Sequence, residues 1–554
     1  MKKNVMTRTI AVMAAALVGV GAFAGCKSER KTGLEAYKDR PNKVSVVYRQ
    51  NAYGKEWITQ IAKEYMDKHN SDTYIDLDES GDASTEFSKV QSDSAFGDLY
   101  FFDQSLKDLK GHAEDVTDVW DSYAIGEEGT AGAKKIKDKL VPLLASQEDY
   151  YGVRNFSLPY SQATTYGWVY NKTVLDAAFP SGYTLPRTTD ELFAFGDALK
   201  TADIPGVEKD EYTTQEVYLL TCSLGDQNEN LKYSQQTWFA QILGEEKYEK
   251  YFDGRYFDGT AYVFDETKPT VHSHYKTEIL QFYDIISKLV TMNNGYLHRN
   301  SDALDYIYSS GTLVGAGYMA NKSKVAFKVD APYFESEAKT YLNGMKNKGQ
   351  EQTLGMMAFP VASAIINRLP SINDDVTLRS VIDYVDGVTA TAPAGVDTAD
   401  IEEVRKARGM VGVYTGGGAV IPKTAANKDG AKDFLKYLCS DEAAVVSAKA
   451  TNGLEILPYG KVVSDAELGF EKSNFIKEVS KWMTKNTYVT SSDAAFSTYT
   501  NFNIGESSGQ LVYAIVAGRV KSGEDWWSSS HQTFTQNWNT YVTEYKMQGY
   551  KTTD

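Results

Sequence analysis

The sequence predicts an α/β protein of two or more lobes, built on largely parallel sheets. Apolar strand-like segments alternate with amphipathic helix-like segments, which is typical of parallel sheets covered by helices on both faces. The 554 residues also exceed what one hydrophobic core usually serves. After residue 26 no stretch approaches the ~20 apolar residues of a membrane-spanning helix, so we expect the rest of the chain to be soluble.

The alternation begins with a strand over Lys43–Arg49 and a helix over Glu56–Asp67, whose apolar residues fall on one helical face. A strand over Thr73–Leu77, a helix over Glu86–Phe96 and an apolar strand over Asp98–Phe102 follow. Further along, the same patterns predict the strands Tyr166–Tyr170, Lys324–Val329, Val411–Tyr414 and Ala419–Ile421, and the helices Thr189–Leu199, Tyr275–Val290 and Asp429–Leu438. We find no internal repeat, heptad run or low-complexity tract.

The N-terminus has the pattern of a secretory signal. A basic start, Met1–Arg8, precedes an uncharged run, Ile10–Phe23, and the small residues before Cys26. A cysteine directly after Ala-Gly resembles the bacterial lipoprotein signal, which implies that Cys26 is lipidated and becomes the mature N-terminus. The alternative is an ordinary cleaved signal with an incidental cysteine. Residues 27–42 are charged and aperiodic and are expected to form a tether between the lipid and the first domain.

The charge balance argues against nucleic acid as a partner. The formal net charge is −16, and without residues 1–25, which contribute three basic residues and no acidic one, it is −19. Such a surface disfavours nucleic acid and anionic lipid head groups. Aromatic residues make up 12% of the chain, including 38 tyrosines, whose flat apolar face and hydroxyl suit half-polar ligands.

Several local motifs, in order along residues 43–540, resemble those of one transport family. They are Gly167–Lys172 (GWVYNK) with Leu185–Thr188, Lys324–Tyr333 (KVAFKVDAPY), Gly416–Lys423 (GGGAVIPK), Gly453–Pro458 (GLEILP), and Val516–Val520 with Trp526 and Trp527. Behind a lipoprotein signal, this series resembles the maltose-binding-protein-like, family 1 solute-binding proteins of carbohydrate ABC importers. Phe327, Ala331 and Tyr333 stand where the family usually has Met, Gly and Trp. The chain is longer than a typical member, with the extra length near 110–155 and 340–410.

The resemblance implies a two-lobed periplasmic-binding-protein-like fold of type II, in which hinge crossovers join two α/β lobes that close over a ligand. The first lobe would combine 43–163 with 420–498, and the second 168–413 with 504–554. Cys222 and Cys439 then fall in different lobes, where a disulfide would block hinge motion. Two free thiols are therefore favoured over one bridge.

Ligands in such a fold meet the carboxyl ends of parallel strands, which selects candidate binding residues. From the strand positions these are Asn51, Tyr53, Glu79, Asp103 and Gln104; the resemblance adds Thr164, Tyr166, Tyr233, Trp238, Asp330, Tyr333, Tyr414, Gly417, Phe502 and Asn503. Tyr333 takes the place of a stacking tryptophan of the family and is the first choice. Asp103 has a helix N-cap as its alternative role, Tyr53 a packing role against the first helix, and the other candidates a role in the core. Trp168 is expected in the core.

The predicted function is capture of an oligosaccharide outside the cell and its delivery to an ABC import permease. We expect a monomer anchored by lipid on Cys26 to the outer face of the bacterial cell membrane, without cofactor and without catalysis. The alternatives are a secreted carbohydrate-active hydrolase and a binding protein for a non-sugar solute such as a peptide.

Enzymatic and metal motifs are incomplete. Gly505–Gly509 fits the G-x-S-x-G nucleophile elbow, but only Asp525 and His531 follow it as acid and histidine. A glycosidase would need two carboxylates, which cannot be singled out among 74 acidic residues. Asp76–Gly81 starts like a calcium loop, yet Phe87 stands where a glutamate is needed. His272 and His274 lack a neighbouring cysteine, and no P-loop occurs.

Overall fold

The computed structural model describes residues 33–49, 52–80, 82–104, 106–141, 144, 154–162, 164–210, 214–223, 230–302, 306–315, 322–414, 418–483, 487–489, 512 and 514–547. Within these ranges, no helix combines the length and the apolar character that crossing a membrane requires.

The described elements alternate as the sequence predicts. The strands are β1 Asn42–Tyr48, β2 Thr73–Glu79, β3 Leu99–Phe102, β4 Leu158–Pro159, β5 Thr164–Thr165, β6 Gly167–Asn171, β7 Val217–Leu220, β8 Arg255–Phe257, β9 Tyr262–Phe264, β10 Lys324–Asp330, β11 Leu354–Met357, β12 Met410–Tyr414, β13 Gly418–Val420 and β14 Thr487–Val489. The helices are α1 Glu56–Lys68, α2 Ala83–Gln91, α3 Thr117–Trp120, α4 Ile136–Lys139, α5 Lys172–Ala178, α6 Thr189–Leu199, α7 Leu231–Leu243, α8 Glu245–Phe252, α9 Thr270–His274, α10 Lys276–Val290, α11 Tyr306–Val314, α12 Phe334–Glu337, α13 Lys339–Asn347, α14 Asp375–Val385, α15 Thr398–Gly409, α16 Lys428–Leu438, α17 Asp441–Ala450, α18 Asp465–Leu468, α19 Asn474–Met483 and α20 Gly523–Met547.

The first sheet has the strand order β2-β1-β3-β13-β4. β1 pairs in parallel with β2 and β3, as expected for strands joined through helices. β13 pairs antiparallel with both β3 and β4. Val46, Ile58 and Phe434 are fully buried and give α1 and α16 their packing surface on this sheet.

The second sheet has the order β11-β6-β10-β7. β10 is parallel to β7 but antiparallel to β6, and β6 is antiparallel to β11. The parallel pairing predicted from strand–helix alternation thus holds for β1 with β2 and β3 and for β10 with β7, whereas β6 and β13 pair antiparallel with both of their neighbours. Trp168 is fully buried in this sheet and donates its indole N–H to Ser234 Oγ, which confirms its predicted place in the core.

A third, small sheet of order β14-β12-β5 lies between the two larger sheets along the chain. β5 directly precedes β6 of the second sheet, and β12 precedes β13 of the first. The chain therefore passes between the two sheets through these strands, as a two-lobed fold with crossovers requires.

Residues within the predicted insertion 340–410 form a helical unit with its own core. Leu378, Val381 and Val404 of α14 and α15 are fully buried in an apolar cluster separate from the main one. Ion pairs from Arg379 to Glu191 and from Asp383 to Arg187 attach this unit to its surroundings, whereas the pair of Arg408 with Asp386 lies within it.

Two element-level expectations have clear outcomes. The helix predicted over Glu86–Phe96 begins earlier, at Ala83, because the Asp82 side chain caps the amides of Ser84 and Thr85. It also ends earlier, at Gln91. Cys222 and Cys439 are both buried, and no disulfide joins them, as predicted.

Candidate functional site: an aromatic cluster between the sheets

Four tyrosines from separate segments meet between the two large sheets. Tyr166 and Tyr233 stack with ring centroids 3.5 Å apart and planes 9° apart. The Tyr166 and Tyr333 hydroxyl oxygens lie 3.4 Å apart, and Tyr53 contacts Tyr333 edge to face at 5.5 Å. We call Tyr53, Tyr166, Tyr233 and Tyr333 the tyrosine cluster. All four are candidates selected from the sequence.

The chain positions each tyrosine at the end of a regular element. Tyr53 lies between β1 and α1 of the first sheet, whereas Tyr333 follows β10 of the second sheet. Tyr166 separates β5 from β6, and Tyr233 lies in the first turn of α7. The Tyr53–Tyr333 contact therefore joins the two sheets, and the other three tyrosines belong to the second sheet and its crossover.

Burial determines the protonation of these hydroxyls. Tyr166 is 6% exposed and Tyr233 7%, while Tyr53 and Tyr333 are partly exposed. Burial raises the pKa of Tyr166 and of Tyr333 above the ordinary tyrosine value. The hydroxyls of Tyr166 and Tyr333 therefore stay protonated at neutral pH, and each can donate one hydrogen bond and accept others. Flat apolar rings with such hydroxyls suit a neutral ligand that has both C–H and O–H groups.

A carboxylate lies at the end of β3, next to β1 in the same sheet. Asp103 accepts a hydrogen bond from the Tyr160 hydroxyl. Tyr160 in turn stacks on Trp57 of α1, with centroids 6.2 Å apart and planes 6° apart. Burial raises the pKa of Asp103, although the Tyr160 hydroxyl and the positive charge of Arg49 oppose that shift. Because β1 and β3 run parallel, Asp103 lies at the same sheet edge as Tyr53.

Tyr160 is the residue that sequence reasoning missed. It directly follows β4, so the strand-end argument that selected Asp103 would have selected it, had the two-residue strand been recognised.

The other described candidates are not members of the cluster and have different surroundings. Glu79 ends β2 with a 3.9 Å ion pair to Lys55, and Gln104 is exposed. Trp238 is fully buried and donates its indole N–H to the Pro360 carbonyl at 2.8 Å, which is a core position. Asp330 is also fully buried and pairs with Lys328.

The remaining candidates are described in part or not at all. Thr164 and Tyr414 pair through β5 and β12 at the crossover, and only their backbone is described. Asn51, Gly417, Phe502, Asn503 and the predicted lipidation site Cys26 lie outside the described residues, as does the elbow-like Gly505–Gly509.

Most of the described histidines pack against aromatic rings, whereas His112 pairs with Asp93. His272 is buried, and its ring is stacked between α9 and α20 on Trp527 and His531. Burial lowers the pKa of His272 to about 3, so it is neutral at physiological pH. Among the described residues, no group of three or more His, Cys, Asp or Glu side chains is arranged to hold a metal ion.

Comparisons with known proteins agree with this architecture. Residues 51–268 match the profile of a family described as bacterial extracellular solute-binding protein. No protein with a curated description matches the chain.

Solved structures share the fold at low identity. The GacH receptor of Streptomyces glaucescens, solved unliganded and in complex with acarbose and an acarbose homolog, superposes with a TM-score of 0.51 at 15% identity, covering 92% of this chain and 99% of that one. The solute-binding protein RafE in complex with raffinose superposes with a TM-score of 0.53 at 13% identity, covering 90% of this chain and 100% of that one. An ABC substrate-binding protein from Listeria monocytogenes in complex with cycloalternan superposes with a TM-score of 0.51 at 12% identity, covering 93% of this chain and 100% of that one.

Proposed function

We propose that this protein captures an oligosaccharide between its lobes and delivers it to an ABC import permease. The match of residues 51–268 to the bacterial extracellular solute-binding proteins and the fold shared with solved sugar receptors support this proposal. The tyrosine cluster carries the proposal, because it joins residues of both sheets at one place. Several solved proteins of this fold are complexes with sugars, among them raffinose, mannobiose and cycloalternan.

The chemistry of the cluster supports a neutral glycan as the ligand. A sugar ring has an apolar C–H face, which stacks on an aromatic plane, and hydroxyls that need hydrogen-bond partners when they are buried. The tyrosine hydroxyls can donate hydrogen bonds to sugar hydroxyls, and the Asp103 carboxylate can accept hydrogen bonds from them. An analogue without these hydroxyls would leave the buried polar groups of the site unpaired, which is the basis for selectivity.

The anchoring and the transport cycle belong to the same proposal. Lipid on Cys26 would hold the protein at the outer face of the membrane, and closure of the lobes would present the bound sugar to the permease. The tether would be shorter than the predicted 27–42, because Leu34 is buried in the core and Arg40 donates to the backbone carbonyls of Met66 and Thr73. The ligand leaves unchanged, since binding and release need no bond to be broken.

Calorimetric titration with raffinose, mannobiose, acarbose and cycloalternan tests the proposal. We expect at least one of these sugars to bind wild-type protein, and Tyr333→Ala to weaken that binding by about 2–4 kcal/mol, as is usual for an aromatic hot spot. The matched control is Tyr308→Ala, a tyrosine of α11 that is 62% exposed. Equal affinity of wild type and Tyr333→Ala would remove Tyr333 from the site, and hydrolysis of the sugar during the titration would contradict a binding role.

A further inference from the structure

Beneath the tyrosine cluster lies a buried ion pair that connects two of its members. Lys328 is 2% exposed and Asp330 is fully buried, and the Lys328 ammonium pairs with Asp330 Oδ2. Both residues lie on β10, two positions apart, so their side chains point to the same side of the strand. A buried charge pair is weak evidence for stability, since its desolvation often cancels its attraction.

The second oxygen of the Asp330 carboxylate accepts hydrogen bonds from two separate segments of the chain. Asp330 Oδ1 accepts the backbone N–H of Ala331 at 2.8 Å and the side-chain amide of Asn230 at 3.4 Å. Ala331 begins the turn that carries Tyr333, and the Phe334 N–H closes that turn on the Ala331 carbonyl at 3.0 Å. Asn230 directly precedes α7, which carries Tyr233.

The Asn230 side chain does not cap α7, although asparagine is one of the preferred N-cap residues. Instead the side-chain amide of Asn230 donates to Asp330, while the backbone carbonyl of Asn230 accepts the backbone N–H of Tyr233 at 3.0 Å. One carboxylate thus links the start of the Tyr233 helix to the start of the Tyr333 turn. Lys328 completes the arrangement, with its ammonium nitrogen 5.7 Å from the ring centroid of the buried Phe334.

We infer that Asp330, held by Lys328, is a positioning residue that sets the spacing between Tyr233 and Tyr333 on either side of Tyr166. This inference rests on the proposed function, because the spacing matters only if the tyrosine cluster receives a ligand. It also replaces the role first considered for Asp330: a fully buried carboxylate with these partners acts on the ligand through the two tyrosines.

The informative variant replaces the pair with apolar residues, Lys328→Met together with Asp330→Leu. Such exchanges often leave stability unchanged or increase it, so the protein is expected to stay folded. Affinity for whichever of the four sugars binds wild type should fall about tenfold or more, since two hydrogen bonds that orient the cluster are lost. The matched control is Lys322→Gln with Glu208→Gln, an exposed pair just before the same strand, for which we expect wild-type affinity.

Fluorine NMR with 3-fluorotyrosine at position 233 or 333 provides a readout that needs no sugar. The apolar double variant should shift both signals, and Asn230→Ala, which keeps the ion pair, should shift the signal at 233 more than the one at 333. If no sugar binds wild type, the proposed function fails while the fluorine signals still decide the inference. Unchanged fluorine signals in a folded double variant, or wild-type affinity in it, would overturn the positioning role.

Discussion

Asp103 shows how a single side chain can trade stability for binding. Its carboxyl is partly buried at the end of β3, so ionisation costs solvation free energy, and the Tyr160 hydroxyl and the positive charge of Arg49 offset part of that cost. A carboxylate nevertheless accepts hydrogen bonds from sugar hydroxyls more strongly than an amide does. Under the proposed function, Asp103 would thus strengthen ligand binding at a cost in stability.

Replacing Asp103 with asparagine should separate these two effects. Because burial raises its pKa, the folded state holds the proton more tightly than the unfolded chain, whose carboxyl titrates near pH ~3.9. The free energy of unfolding of wild type should therefore decrease as the pH rises through the interval between the unfolded and the raised folded pKa. Asp103→Asn lacks that dependence and should be at least as stable as wild type at pH 7, while binding sugar about tenfold more weakly.

Urea unfolding of both proteins at several pH values, with calorimetry at pH 7, measures these effects. The stability difference should vanish below the unfolded pKa, where both side chains are neutral. A variant that is less stable than wild type at pH 7, or that binds sugar equally well, would contradict this account of Asp103.

Single elements were predictable where a local signal marks their ends. Helix Thr189–Leu199 has its predicted bounds, because the Thr188 hydroxyl accepts the Glu191 N–H as an N-cap. Phe96, by contrast, suggested a longer helix after Glu86, yet it is 91% exposed and lies beyond the end of α2. An apolar residue at a helical interval carries no information about whether a partner surface exists for it.

The position of helix α19 in the fold could not be predicted from local sequence patterns. The predicted division assigns 420–498 to the first lobe, yet α19 packs on β11 of the second sheet. Glu478 accepts the Tyr170 hydroxyl at 2.9 Å and the Met356 N–H at 2.8 Å. Gly355 permits this approach, since a Cβ there would collide with Tyr170 and Glu478.

We expect Glu478→Ala to detach this helix from the second sheet. The change leaves a hydroxyl and a backbone N–H without their acceptor, and each unsatisfied donor costs about 1–3 kcal/mol of unfolding free energy. Glu471→Ala is the matched control, because Glu471 is 77% exposed in its ion pair with Lys477 and should change stability by no more than about 0.5 kcal/mol. Urea midpoints that are equal for the two variants would show that Glu478 does not attach α19.

At the scale of the whole molecule, the sequence was most informative where motif order and strand ends agree. Tyr166, Tyr233 and Tyr333 were selected by family resemblance and Tyr53 by its strand, and they meet in one cluster. Trp238 was selected by the same resemblance, yet its indole N–H finds the Pro360 carbonyl inside the core. The residue type is equally suited to a ligand and to a core, so only the packing of α7 distinguishes the two.

Closure of the lobes is the property that depends on the whole chain, and Tyr53 is the residue that tests it. Tyr53 is the member of the cluster that belongs to the first sheet, and its ring meets Tyr333 of the second. Sugar at a hundred times its dissociation constant should stabilise wild type by about 2.7 kcal/mol and lower its radius of gyration in small-angle X-ray scattering. Tyr53→Ala should still bind sugar through the second-lobe tyrosines, more weakly and with less compaction at equal saturation. Tyr53→Phe keeps the edge-to-face contact and should compact like wild type, whereas equal compaction of Tyr53→Ala and wild type would show that the lobes close without this contact.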